Sequence, residues 1–513
     1  MLSGQEYLIG IDIGTSSCKA ILIDNAGKVI AKEVAGYPLF VPHPGWTEQN
    51  PEDWFQAVKQ SIKKLLVKIN KKNNIKALGL SGQMHGLVAL DKDGKVLRPC
   101  ILWNDQRSAP QCEKIYERVG GEKALLSYTN NSMLPGYTGG KILWVRENEP
   151  HIYEKIVKVL LPKDYIRYRL TGELATDVSD ASGTGLFDVK KRCWSNALID
   201  ILEIPKEWLP SSYESSEITG FVSDVLTNEL GLPPLLPVVG GGGDAVIQSI
   251  GAGAINEETV MVLIGTAGIV STCLSRCHDN SEGKLQFFCN TISHSWVAMG
   301  VTLAAGGSLR WFRDTLGDLE RMLAQNLHQS AYDIMNQEAI NSPPGSRGLI
   351  FLPYLGGERC PYTDPDAKGA FIGLRLHTTK SDIIRSVYEG VMYSLRHVLE
   401  LMYRMGICPS KIRFSGGGAH SSLLRQIMAD VFNKQVTTVC SSEEGGALAA
   451  AIIAGVGTGI WPTVKEAVSM LKIENRTDPV PENVKIYEKL FYSYKKLYSR
   501  LKPTFHELSC EDF

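Results

Sequence analysis

Two short strand pairs with glycine-bearing turns, about 250 residues apart, constrain this chain more than any other feature. The first spans Tyr7–Asp24, where an apolar strand runs into Asp12-Ile13-Gly14-Thr15-Ser16-Ser17 and a second strand follows. The other spans Thr259–Ser275, with Gly265-Thr266-Ala267-Gly268 between its strands. Tight turns of this kind offer backbone N–H groups and hydroxyls to an anion. One such turn is an ordinary hairpin. Two of them, each opening one half of a long chain, imply a duplicated fold with a ligand between the copies. Asp12 strengthens that reading, because a carboxylate within Leu8-Ile9-Gly10-Ile11-Asp12-Ile13 is costly to bury without a cation or polar ligand.

At 513 residues the chain can hold two domains, each with its own core. A net charge of −1 gives no reason to expect nucleic acid or an anionic membrane surface as a partner. The lysines at 59–76 alternate with Ile62, Leu65, Leu66 and Ile69, the pattern of an amphipathic helix with a solvated face. Eleven cysteines lack a C-x-x-C pair and read as reduced thiols, which with the absence of a signal-like start suggests a cytoplasmic protein. The most apolar run, 446–461, is too short and glycine-rich to span a bilayer.

Strands are expected near 7–13, 18–24, 28–35, 76–80 and 87–90, and helices near 51–70, 106–119, 139–147 and 162–170. Such alternation indicates layered α/β architecture. A second strand pair directly after Gly251-Ala252-Gly253 places the junction near 251–256, giving domains 1–252 and 253–513. A terminal helix over 483–501 is expected to pack on the body, with a return to the first domain as one option.

Asp244 is the leading candidate for catalysis. It follows Gly240-Gly241-Gly242-Gly243 and opens a short helix, so it reads either as an N-cap or as a general base toward a substrate hydroxyl. Four glycines exceed what a cap requires. Gln83, Met84 and His85, bracketed by Gly82 and Gly86 after an apolar strand, stand where open α/β sheets bind ligands. Trp103, Asn104 and Asp105 add an aromatic wall, an amide and a carboxylate suited to a polyhydroxylated ligand, although Asp105 and Arg107 also read as a surface pair. The strand–glycine–helix unit Ile412–Ser421 could take a phosphate or a base at the helix N-terminus. There is neither a dinucleotide fingerprint nor a P-loop, so a nucleotide must be held some other way.

These residues, with Leu161-Pro162-Lys163-Asp164-Tyr165 and two long patterns over Gly136–Asn148 and Gly369–Glu389, resemble the FGGY family of carbohydrate kinases across essentially the whole chain. Within it the resemblance is greatest to the branch acting on xylulose. It implies an α/β fold of two actin-like, ribonuclease H-type domains with a catalytic cleft between them, ATP and Mg2+ as cofactors, and sugar and ATP as small-molecule partners. A homodimer is compatible with it, and nucleic acid and membrane are not expected partners. By match to the family, Asp244 is the base; Gln83, Met84, His85, Trp103, Asn104 and Asp105 lie at the sugar; and Asp12 serves the metal. Thr15, Ser16, Gly265, Thr266, Gly306, Gly417 and Ser421 lie at the nucleotide. The expected reaction converts D-xylulose to D-xylulose 5-phosphate, with another sugar or polyol kinase, or an actin-like ATP-binding regulator, as alternatives. Two departures stand out: Ala245 where the family has an amide, and Ala267 where it has a hydroxyl residue.

Overall fold

The computed structural model describes residues 6–440 and 444–510. Contacts divide the chain into two units. The first takes in residues through Ile255 together with Cys273–Val297 and Glu444–Lys472; the second takes in Asn256–Thr272, 298–440 and the chain from Ile473 on. Sequence order and packing are therefore interleaved. The helix Gly445–Gly457 groups with the first unit, and the terminal helix Pro481–Cys510 with the second.

In the first unit the strand order is Val29–Gly36, Ser17–Asp24, Tyr7–Ile13, Ile75–Gly82, Pro237–Val239, Ile218–Phe221. Tyr7–Ile13 pairs antiparallel with Ser17–Asp24 and parallel with Ile75–Gly82. Buried on both faces, these two central strands are almost continuously apolar, as a sheet covered by helices demands. One cover is Pro51–Leu66, capped by the Asn50 side chain on the Glu52 N–H, with acidic residues in its first turn and Lys63 and Lys64 in its last. It buries Trp54, Phe55, Val58, Ile62 and Leu65, so the lysine-rich stretch is an amphipathic helix as expected. The opposite cover is Gly445–Gly457, the apolar run, which is buried through most of its length. Gly10 and Gly79 lie side by side in the sheet, and a Cβ on either would come within 1.9 Å of the Ala447 or Ala450 carbonyl oxygen. Only glycine lets that helix come so close. No helix among the described residues is long and apolar enough to cross a membrane.

The second unit repeats the plan. Thr259–Ile264 pairs antiparallel with Gly268–Leu274 and parallel with Lys411–Ser415, which pairs parallel with Val436–Val439; Ile473–Thr477 adds an antiparallel edge. Its longest buried element, Lys380–Arg404, starts with a capping box between Thr379 and Asp382. Glu389, farther along, bonds the Gly345 N–H, the Ser346 hydroxyl, Arg385 and Tyr487. The acidic residues of the pattern over 369–389 thus fix a helix start and its neighbours.

Candidate functional site

Asp12 lies in the strand Tyr7–Ile13, opposite Ser81 on the parallel neighbour and Lys19 on the antiparallel one. Its Oδ1 accepts the Ser81 hydroxyl at 2.7 Å. The carboxyl keeps some accessible surface, yet the atoms around it, Gly446 among them, strip away enough water to hold its pKa above the ordinary value; Ser81 and Lys19 offset part of that. Asp244 belongs to the same unit and is the first residue of the helix Asp244–Ala252, with Gly243 at the cap position. Its carboxylate accepts the Ala245 N–H at 2.6 Å and a bond from the Met84 backbone. Desolvation, and then the charge of Asp12, push its pKa up to about 7. A carboxylate whose proton affinity is raised by the charge of a second one marks a place where a hard cation relieves repulsion. Asp12, with one side-chain hydrogen bond and oxygen ligands to offer, fits a magnesium ion.

The segment 81–86 joins this pair. The Gln83 N–H donates to the Ile13 carbonyl at 2.8 Å, and a Cβ on Gly243 would strike the Met84 side chain. Met84 therefore packs directly under the residue preceding Asp244. His85 has a positive φ of 69° and its Nδ1 lies 2.5 Å from the Gly183 carbonyl oxygen. Lys141 secures that conformation: its Nζ donates to the His85 carbonyl at 2.8 Å and to the Gly136 carbonyl at 2.7 Å, and the Thr138 hydroxyl reaches the same His85 oxygen. Fully buried, Lys141 has its pKa lowered to about 7, chiefly by desolvation. The sequence marked Lys141 only as part of a pattern; its role as a clamp on the His85 loop is visible only in three dimensions.

Other candidates are bonded to neighbouring elements. The Gln83 amide donates to Gln49 Oε1 at 2.9 Å, and Gln49 in turn donates to the Thr15 carbonyl at 2.6 Å, so Gln83 is wired to the first glycine turn. Trp103 Nε1 donates to the Thr15 hydroxyl at 2.9 Å, and Asn104 accepts the Thr47 hydroxyl. Asp105 has no exposed surface: both its oxygens bond Arg107, and the Thr47 N–H adds a third contact at 2.6 Å. Arg107 continues to Glu48. Rather than a surface pair, Asp105 and Arg107 are a buried one. Ser16 is exposed on the same turn.

The glycines before Asp244 rest on a buried polar cluster. Gly241 adopts φ 70°, and its Cβ would lie 2.0 Å from the Leu80 carbonyl oxygen. Arg167 donates to the Gly240 carbonyl and Lys163 approaches it at 3.4 Å. Asp177 accepts the Ser179 and Ser215 hydroxyls, and Ser179 Oγ accepts the Gly243 N–H at 3.1 Å. Lys163, Asp164, Arg167, Asp177 and Asp180 show no exposed surface. With three acids to two bases, burial and the neighbouring acids hold Asp180 well above the usual carboxylate range. So many buried charges are retained only when mutually bonded. The sequence flagged Lys163-Asp164 by resemblance alone.

In the second unit Gly265, Thr266, Gly306, Gly417 and Ser421 all line one pocket of about 440 Å³. Leu309 and Leu424 supply apolar walls, Asn336 an amide and Arg310 a cation. Ser421 caps the helix Ser422–Phe432 through the Leu424 N–H and also donates to Asn336 at 3.1 Å. Arg310 donates to the Thr266 hydroxyl at 3.1 Å, and the Tyr388 hydroxyl is buried with no hydrogen-bond partner among the described residues. Apolar faces, a few polar anchors and an open helix start suit a base, a ribose and phosphates. Arg310, Asn336 and Tyr388 carried no signal in the sequence beyond their residue types.

The chain resembles known proteins along nearly its whole length. Residues 7–251 match the N-terminal domain of the FGGY family of carbohydrate kinases and residues 260–458 match its C-terminal domain. The chain is 37% identical over 509 residues to a xylulose kinase of Lactococcus lactis, covering 98% of this chain and 99% of that one. It is 34% identical to a gluconokinase of Bacillus subtilis, covering 94% of each. The ligand-bound xylulose kinase of Lactobacillus acidophilus superposes with a TM-score of 0.91 at 29% identity, covering 98% of this chain and 100% of that one.

Proposed function

Since the chain belongs to the FGGY family of carbohydrate kinases and is a sugar kinase using ATP, we propose that its sugar is a ketopentose, D-xylulose, which it converts to D-xylulose 5-phosphate in the cytoplasm. The observation that carries the phosphoryl-transfer reading is Asp244, a carboxylate at a helix start that accepts bonds from the Ala245 N–H and the Met84 backbone, its pKa pushed up to about 7 by desolvation and the charge of Asp12. A carboxyl poised near the operating pH suits a general base. In the proposed reaction the sugar's primary hydroxyl gives its proton to Asp244 while its oxygen forms a bond to the γ-phosphorus. The bond from that phosphorus to the bridging oxygen breaks, and ADP leaves with the electron pair. Asp12 would hold Mg2+, which when bound neutralises charge on the transferred phosphoryl. Met84 and His85 shape the sugar's seat, and Lys141 holds the His85 backbone in place.

Thr15, Ser16 and the Gly265–Thr266 turn would face the phosphates, and the pocket with Gly306, Gly417 and Ser421 the nucleoside. Gln83, Trp103, Asn104 and Asp105 enter this account as the scaffold of the sugar side. Likeness to xylulose kinases across nearly the whole chain supports xylulose. A second reading, phosphorylation of gluconate, is favoured by the gluconokinase relative and by Ala245, which offers no amide to a sugar hydroxyl. ATP-dependent turnover of D-xylulose, D-gluconate and a panel of ketoses and polyols decides between them. Clear preference for D-xylulose is expected; preference for gluconate at comparable concentration overturns the ketopentose assignment.

A further inference from the structure

One buried acid in the second unit has no place in the mechanism above. Glu358 is 3% exposed and lies in an irregular segment between Tyr354 and Asp364. Its Oε1 accepts the Leu303 N–H at 2.9 Å and the Arg359 N–H at 2.8 Å. Its Oε2 is buried without a hydrogen bond of ordinary geometry among the described residues. The position of Leu303 gives this contact its meaning. Three residues on, the chain reaches Gly306, which lines the pocket. Between them Ala305 N–H donates to the Thr266 carbonyl at 3.0 Å, Gly306 N–H to the Gly265 carbonyl at 2.9 Å, and Gly307 N–H to the Thr266 carbonyl at 2.9 Å. The segment 303–307 is therefore held on one side by the glycine turn and on the other by Glu358.

We propose that Glu358 is a positioning residue for the nucleotide: by accepting the Leu303 N–H it holds the segment 303–307 against the Gly265–Thr266 turn. The proposal rests on the reading of this pocket as the nucleotide site. The backbone N–H groups of Leu303, Arg359 and Cys360 converge on this one buried carboxyl, so removing it would leave donors without an acceptor. Burial raises the Glu358 pKa, and those three N–H groups offset part of the rise.

The test titrates ADP into the full-length protein by calorimetry for wild type, Glu358→Gln and Glu358→Ala, with D-xylulose binding as a control. Glu358→Ala, leaving the Leu303 N–H without its acceptor, should bind ADP about tenfold more weakly with D-xylulose binding unchanged, while Glu358→Gln, which keeps an acceptor, should stay within about threefold of wild type. Normal ADP binding by Glu358→Ala, or a loss in Glu358→Gln equal to that in Glu358→Ala, overturns the proposal; if the alanine variant does not fold, Glu358→Met, similar in length and without the acceptor, decides in its place. A Gly417→Leu variant, which fills the pocket, separates the two failures: unchanged ADP affinity there overturns the pocket reading itself.

Discussion

The two glycine turns hold equivalent places in their sheets and differ in length and charge. Asp12 and Gly14 in the first occupy the positions of Leu263 and Gly265 in the second, and each strand runs parallel to a neighbour with serine opposite: Ser81 faces Asp12, and Ser415 faces Leu263. Gly14 N–H closes its turn on Ser17, and Gly265 N–H on Ala267. The two frames match in topology, and of the two strand ends only the first carries a carboxylate. Its partner Asp244 lies in the same unit. The second frame has an apolar residue there and a pocket beside it instead. In this account acid–base and metal chemistry belong to the first unit, and recognition of the nucleoside to the second.

The largest way to break that division is Asp244→Asn. Turnover should fall by about two to four orders of magnitude, the usual worth of a positioned base, with ADP affinity unchanged. The melting temperature should hold or rise, because a carboxyl whose pKa is raised by desolvation burdens the fold when ionised. Near-normal turnover would return Asp244 to a purely structural role at its helix start.

Asp12→Asn keeps an acceptor for the Ser81 hydroxyl but removes a metal ligand. A magnesium titration should show a demand for more metal and a turnover lower by about a hundredfold. Unchanged metal dependence would make Asp12 a fold residue like its counterpart Leu263.

Lys141→Met tests whether the first unit also places the sugar. Two carbonyls would lose their donor, so the KM for sugar should rise about tenfold while ADP affinity and sugar-independent ATP hydrolysis stay put. Equal loss of both affinities would instead report general damage.

Ala245→Asn gives the smallest expected effect. With D-xylulose as natural substrate, kcat/KM for it should change by less than about threefold, whereas a gain approaching tenfold would point to a different sugar.

Much of the frame was legible in the sequence because its signals are local. Strand alternation, glycine turns and the apolar-periodic helix before Leu66 all appear at nearly the expected boundaries. The packing of Gly445–Gly457 onto Gly10 and Gly79 was not legible, since it joins residues more than 350 apart and composition marked only an apolar run. The candidate residues came from glycine-bracketed clusters and then from motif resemblance, neither of which distinguishes a ligand contact from its support. Gln83 and Asp105 look like ligand contacts in a motif and like braces once their partners are known. Lys141, Ser179 and Glu358 each bond a backbone atom more than 50 residues away, which leaves no periodic trace in a sequence.

The division of labour meets its most direct test in one pH series, with the rate of phosphoryl transfer in a single turnover and the affinity for ADP measured on the same samples. The account predicts that the transfer rate falls as pH drops through about 7, where Asp244 takes up a proton, while ADP affinity stays level there. A transfer rate and an ADP affinity that fall together as pH drops through about 7 would contradict it.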